Sequence, residues 1–128
     1  MSSIFTKIIK GELPSVKVHE DDHTLVIMDI NPIQEGQLLV IPKKEVSTVW
    51  DLSKEDYTAL MNSVQRAGQS LSKAYPHKTI GMMVEGLEVK DHAHIKVFPF
   101  SSVSEYHAAP STRPTVQDLE KLAEKLAF

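Results

Sequence analysis

The chain has 128 residues, a formal net charge of -3 and a charged fraction of 24%. That length fits a single compact domain with a real core, and so balanced a charge argues against broad electrostatic capture of nucleic acid or of an anionic membrane. There is no cysteine, which excludes disulfides, thiolate metal ligands and a cysteine nucleophile. Met1 to Lys10 contains no apolar run long enough for a signal peptide or a membrane span, so a soluble cytoplasmic protein is expected.

Ile4, Phe5, Ile8 and Ile9 recur at helical spacing, and Gly11 closes the pattern ahead of Pro14, which predicts a short N-terminal helix. Ser15–Glu20 alternates and reads as a first strand. Asp21-Asp22-His23 is turn chemistry. Thr24–Ile30 is a second strand, and Gln37–Ile41, opened by Gly36 and ended by Pro42, is a third. Such short connections predict an antiparallel meander. Ser53–Tyr75 is the best helix, with Ser53 and Asp56 in capping positions and a stripe of Tyr57, Leu60, Met61, Val64, Gly68, Leu71 and Tyr75. Thr79–Val84 is a fourth strand and His92–Phe98 a fifth. Thr115 and Asp118 then cap a closing amphipathic helix built on Leu119, Leu122, Ala123 and Leu126. The expected architecture is α+β, one domain over residues 1–128, with helices on one face of an antiparallel sheet. Residues 4–99 form its core unit, and a loop and helix follow over 100–128.

The stretch richest in chemistry is Asp91-His92-Ala93-His94-Ile95-Lys96-Val97-Phe98-Pro99. In a strand, His92, His94 and Lys96 would line one face and Ala93, Ile95 and Val97 the other. Two imidazoles and an ammonium are expected to meet a wet cleft or a ligand, and Pro99 to stop the ladder. A polar, solvent-facing surface would have the same residues. A metal site could use the His-x-His pair, yet the next side chain on that face is the Lys96 cation, which would repel an ion. Phosphate chemistry suits the set better: a neutral imidazole is a nucleophile near neutral pH, and Lys96 supplies a point charge. A non-catalytic nucleotide sensor would use the same pocket.

These residues also resemble a known family, the histidine triad (HIT) nucleotide hydrolases and transferases. The resemblance rests on Ile4 to Pro14 (IFTKIIKGELP), Met28-Asp29-Ile30-Asn31-Pro32, Leu39-Val40-Ile41-Pro42-Lys43-Lys44 and His92-x-His94-x-Lys96-Val97-Phe98-Pro99, in that order. It implies a HIT-like fold: a five-stranded antiparallel sheet with one long helix plus short N-terminal and C-terminal helices, paired into a homodimer. It implies that His94 attacks the α-phosphate of a nucleotide to form a nucleotidyl-histidine, and that His92 positions it through its backbone carbonyl. By the same resemblance, Phe5, Ile8, Ile27 and Ile30 hold the nucleoside, and Asp29 takes the ribose hydroxyls. Lys96 and Gln37 then bind the phosphate, with no metal or cofactor. The sequence departs from the family pattern at several places, among them a Leu87–Asp91 segment without the Ser or Gln that assists the leaving group in many relatives, and Thr6 where some members carry a zinc-site cysteine. Lys96 replaces the third histidine, Gln37 a further active-site histidine, Glu45 a histidine after Pro-Lys-Lys, and Val84 an asparagine. Lys96 and Gln37 can hydrogen-bond a phosphate but cannot shuttle a proton near neutral pH. The expected activity is therefore hydrolysis or transfer at the α-phosphate of a phosphoramidate, anhydride or dinucleotide. The alternative is a nucleotide-binding module with a degenerate triad.

Overall fold

A computed structural model describes residues 2–111 and 113–128. The elements run α1 (Ile4–Ile9), β1 (Lys17–Glu20), β2 (Thr24–Met28), β3 (Leu38–Pro42), α2 (Lys54–Ala74), β4 (Thr79–Met83), β5 (Ile95–Phe100), α3 (Val103–Tyr106) and α4 (Val116–Leu126). The five strands form one sheet in the order β1-β2-β3-β5-β4, every neighbouring pair antiparallel. The expected architecture is thus present, and the element limits differ by a few residues.

Local chemistry explains where the helices begin. Ser3 caps α1 by accepting the Thr6 N–H at 2.9 Å, and Gly11, at φ 79°, turns the chain out of the helix. Ser53 caps α2 through the Asp56 N–H. Thr115 and Asp118 make a full capping box on α4.

Alternation along β2, β3 and β5 then divides the core in two. Val26, Met28, Leu38, Val40, Ile95 and Val97 face α2 and α4 and pack with Leu60, Leu71, Leu119 and Leu126. On this face the hydroxyls of Thr24 and Ser63 lie 2.6 Å apart and satisfy each other. Leu25, Ile27, Leu39 and Ile41 point the other way and pack under Phe5 of α1. Helices therefore cover both faces, not one. The stripe on α2 is also rotated from the expected one: Ser63 and Ala67 are buried, while Tyr57 is exposed. Small side chains are what let the helix lie close to the sheet, and a pattern of large apolar residues overlooks them.

The fifth strand starts later than its sequence pattern implied. Residues 92–94 leave the ladder because the Ala93 N–H bonds the Val46 carbonyl at 2.7 Å. Nor does Pro99 stop β5, which pairs with β4 as far as Phe100. Pairing with β3 has already ended at Val97, so Pro99 sits where the strand has only one neighbour and its missing N–H is tolerated. The segment after β5, expected as a plain loop, contains α3. Its Tyr106 stacks on Phe98 with ring centroids 5.3 Å apart and donates to the Met82 carbonyl.

Candidate functional site

His92 and His94 are held by the backbone around them. Both lie under α1, with the Phe5 ring edge-on to each at 5.7 and 5.1 Å. His92, His94 and Lys96 are all buried, 0–4% exposed, which rules out the solvent-facing alternative: α1 roofs that face. Burial on this scale demands partners, and His92 has both. Its Nε2 lies 2.7 Å from the Pro42 carbonyl, which can only accept, so Nε2 carries the proton. The bare Nδ1 then accepts the Ser3 hydroxyl at 2.7 Å. Ser3 N–H and the Thr6 hydroxyl donate to Glu45 Oε1 at 2.7 and 2.6 Å. Those two hydrogen bonds, the Ser3 N–H first, hold the Glu45 carboxyl down to about 2. Burial lowers the His92 pKa and keeps the ring neutral, against the pull of the Pro42 carbonyl. This clasp ties the start of α1 to the segment before β5.

His94 is the outcome of that arrangement. Its Nδ1 sits 3.0 Å from the His92 carbonyl, so the proton is on Nδ1 and the Nε2 lone pair is free. His94 and Lys96 border a cavity of about 210 Å³ whose other walls include Phe5, Ile8, Ile27, Asp29 and Ile30. All five residues expected to hold a nucleoside therefore share a cavity with the expected nucleophile and with Lys96, one of the two residues expected to bind the phosphate.

Asp29 follows β2 and is fixed at both oxygens. Oδ1 accepts the Asn31 N–H at 2.8 Å and Oδ2 accepts Gln37 Nε2 at 2.6 Å. Each oxygen keeps a lone pair for a ligand. Gln37 does not border this cavity. It is buried behind Asp29 with its Oε1 accepting the Ile33 N–H at 2.9 Å, so its amide is spent on holding the carboxylate in place.

Sequence reasoning missed two acids. The chain after β4 turns at Gly86, φ 65°, and brings Glu85 Oε1 to 3.5 Å and Glu88 Oε1 to 3.6 Å from Lys96 Nζ. Glu85 Oε1 is also 3.9 Å from His94 Nε2. It is buried and makes no hydrogen bond. The available signal was the need of a buried lysine for a counter-charge, with Glu85 and Glu88 the acids just ahead of the histidine motif. Beyond Glu85 and His94 opens a second hollow of about 180 Å³, bordered also by Ser47, Thr48, Trp50 and Lys90. Among the described residues no three His, Cys, Asp or Glu side chains come together in a way that could hold a metal ion.

A five-stranded antiparallel sheet, backed by one long helix and presenting a histidine to an apolar cleft, is the architecture of a histidine triad domain. The HIT domain pattern matches residues 10–100, and the chain belongs to that family. It is 31% identical over 127 residues to adenylylsulfatase HINT3 of Arabidopsis thaliana, covering 96% of this chain and 64% of that longer protein. It is 31% identical over 103 residues to adenosine 5'-monophosphoramidase hnt1 of Schizosaccharomyces pombe, covering 77% and 74% of the two chains. The crystal structure of a Hit-like protein from Bartonella henselae superposes with a TM-score of 0.88 at 31% identity, covering 98% and 93%.

Proposed function

We propose that the protein is a nucleotide hydrolase or nucleotidyl transferase that acts at the α-phosphate through His94. The observation that carries this reading is the orientation of His94: with Nδ1 held 3.0 Å from the His92 carbonyl, Nε2 is the nitrogen left to act as nucleophile. The cavity supports the same reading. Its apolar walls suit a base, Asp29 suits a ribose diol, and the Lys96 ammonium suits the charge spread over phosphate oxygens in the transition state. The relatives named above as a phosphoramidase and an adenylylsulfatase act on bonds to a nucleoside phosphate, and they make a phosphoramidate or a mixed anhydride the substrate class to test first.

In the first half-reaction Nε2 bonds to phosphorus, and the leaving group departs with the electron pair of its own bond and takes up a proton from solvent, so that a phosphoramidate releases its free amine. In the second, water or another acceptor takes the nucleotidyl group and Nε2 is regenerated. The test is intact-mass analysis after mixing with adenosine 5'-phosphoramidate: a nucleotidyl mass on His94, absent from His94→Ala, is expected. Full turnover by the Ala variant refutes the mechanism.

One observation favours a second reading, a binding module without turnover. Lys96 is already neutralised by Glu85 and Glu88, and Gln37 is committed to Asp29. Binding of adenosine monophosphate by calorimetry, with no turnover across phosphoramidates, anhydrides and dinucleotides, selects that reading. We also read the protein as a homodimer. β4 is an edge strand, and Met82, half exposed, shares an apolar groove with Ile80, Met61 and Gly68. Sedimentation of the Met82→Asp variant as a smaller species than the parent is the expected result.

A further inference from the structure

The reaction just proposed needs a group that takes a proton from water, and the groups around His94 fail that need one by one. His92 has both nitrogens engaged, by the Pro42 carbonyl and the Ser3 hydroxyl. Lys96 as an ammonium has no lone pair. Gln37 is neutral and turned toward Asp29 and Ile33. Glu88 is half exposed and bonds nothing but the Lys96 cation. Glu85 is different: its Oε1 is shut away from water, lacks any hydrogen-bond donor, and stands 3.9 Å from the very nitrogen that would carry the nucleotide.

A buried acceptor without a donor costs stability, so the site holds Glu85 there at some expense. Its neighbour Lys96, at 3.5 Å, offsets the repulsion that a carboxylate would otherwise feel beside a phosphate. Glu85 and His94 together also border the second hollow of about 180 Å³, which offers room for a water beside both groups.

We infer that Glu85 is the general base of the hydrolytic half-reaction, a role that rests on His94 being the nucleophile. The water oxygen bonds to phosphorus while one water proton passes to Glu85 Oε1. The P–Nε2 bond breaks with its electron pair returning to His94, and the nucleoside monophosphate leaves. Glu85 then gives its proton to bulk water. The pair of Glu85 and Lys96 thus divides between two side chains what a single imidazole could do, one moving the proton and the other carrying the charge.

The assay mixes the full chain with an adenosine 5'-phosphoramidate whose amine fluoresces on release, and follows amine and protein mass together. In Glu85→Gln the first half-reaction is expected to survive. One equivalent of amine appears in a burst, steady turnover falls about a hundredfold, the scale of a lost general base, and the nucleotidyl-His94 species accumulates. Hydroxylamine, which attacks phosphorus without needing a base, is expected to discharge that species at similar rates in parent and variant. Discharge by water at the parental rate overturns the assignment, as does an equal slowing of both halves with no adduct. If His94→Ala retains turnover, or the parent releases no amine, the reading beneath fails and takes this one with it. A slow Glu85→Gln beside a dead His94→Ala separates the two claims.

Discussion

The two faces of the sheet obey the same alternation and end up with opposite chemistry. Toward α2, the alternate residues of β2, β3 and β5 are mostly aliphatic and meet a long helix and α4, with Thr24 the polar member, satisfied by Ser63. Toward α1, the aliphatic set stops at Leu25, Ile27, Leu39 and Ile41, and Asp29, Gln37, His92, His94 and Lys96 occupy the remaining buried positions. The first face stabilises by transfer of apolar area from water, at roughly 25 cal/mol per Å². The second could not survive on that term, because each unpaired polar group there would cost about 1–3 kcal/mol. Its answer is partner by partner: the Ser3 hydroxyl for His92, Asn31 N–H and Gln37 for Asp29, two acids for Lys96. What is left over is the Nε2 of His94 and the Oε1 of Glu85, 3.9 Å apart, the pair to which the proposed chemistry is assigned.

Exchanging a residue on each face separates the two roles. His94→Ala should lower turnover by about 10⁴-fold or more, the scale of a lost nucleophile, while the variant still unfolds cooperatively. Leu71→Ala, at a fully buried position on the other face, should do the reverse. It should cost about 2–5 kcal/mol in chemical denaturation and leave turnover per folded molecule within about twofold. Should Leu71→Ala lose activity as steeply as His94→Ala, the faces are not independent.

The face toward α2 was legible in the sequence because period-two and helical repeats of large apolar residues report it directly. Even there Ser63 and Ala67 were overlooked, since close approach of a helix to a sheet is made by small side chains with no hydropathy signal. The site was legible in its residue types and its membership: Phe5, Ile8, Ile27, Asp29, Ile30, His94 and Lys96 do converge. Its wiring was not. Gln37 reads as a phosphate ligand until the Asp29 oxygen is seen 2.6 Å away. Glu85 gives only the general cue that a lysine needs a counter-charge; its place is set by the turn at Gly86, which folds it back onto a histidine nine residues later. Contacts made by irregular segments have no period to read.

Between these extremes lies Asp29, which sharpens the comparison at the nucleoside end. Asp29→Asn should reduce kcat/KM about tenfold for a ribonucleoside substrate, the worth of a hydrogen bond to a charged acceptor. It should change little for the 2',3'-dideoxy analogue. Equal losses on both substrates would mean that the carboxylate acts on the fold through Gln37 and Asn31 and not on the sugar.

The smallest effect tests the clasp that joins the two histidines to α1, and its sign follows from proton counting. Burial lowers the His92 pKa, so the unfolded chain takes up a proton there at a pH where the folded ring refuses it. Stability from this group is complete above the ordinary histidine range and declines as the pH falls below it. Glu45, held at about 2 by the Ser3 N–H and the Thr6 hydroxyl, behaves in the same direction in a lower window: its contribution is complete above the usual carboxylate range and is lost between about pH 5 and pH 2. The Glu45 charge also eases protonation of His92. Glu45→Gln should therefore unfold at lower urea than the parent by a constant margin above neutrality, and the margin should widen as histidine titrates. It should then narrow between about pH 5 and pH 2, as the unfolded parent takes up a proton on Glu45 that the folded carboxylate still refuses. A margin that stays flat from pH 8 to pH 3 would detach Glu45 from His92, and with it α1 from the orientation of His94.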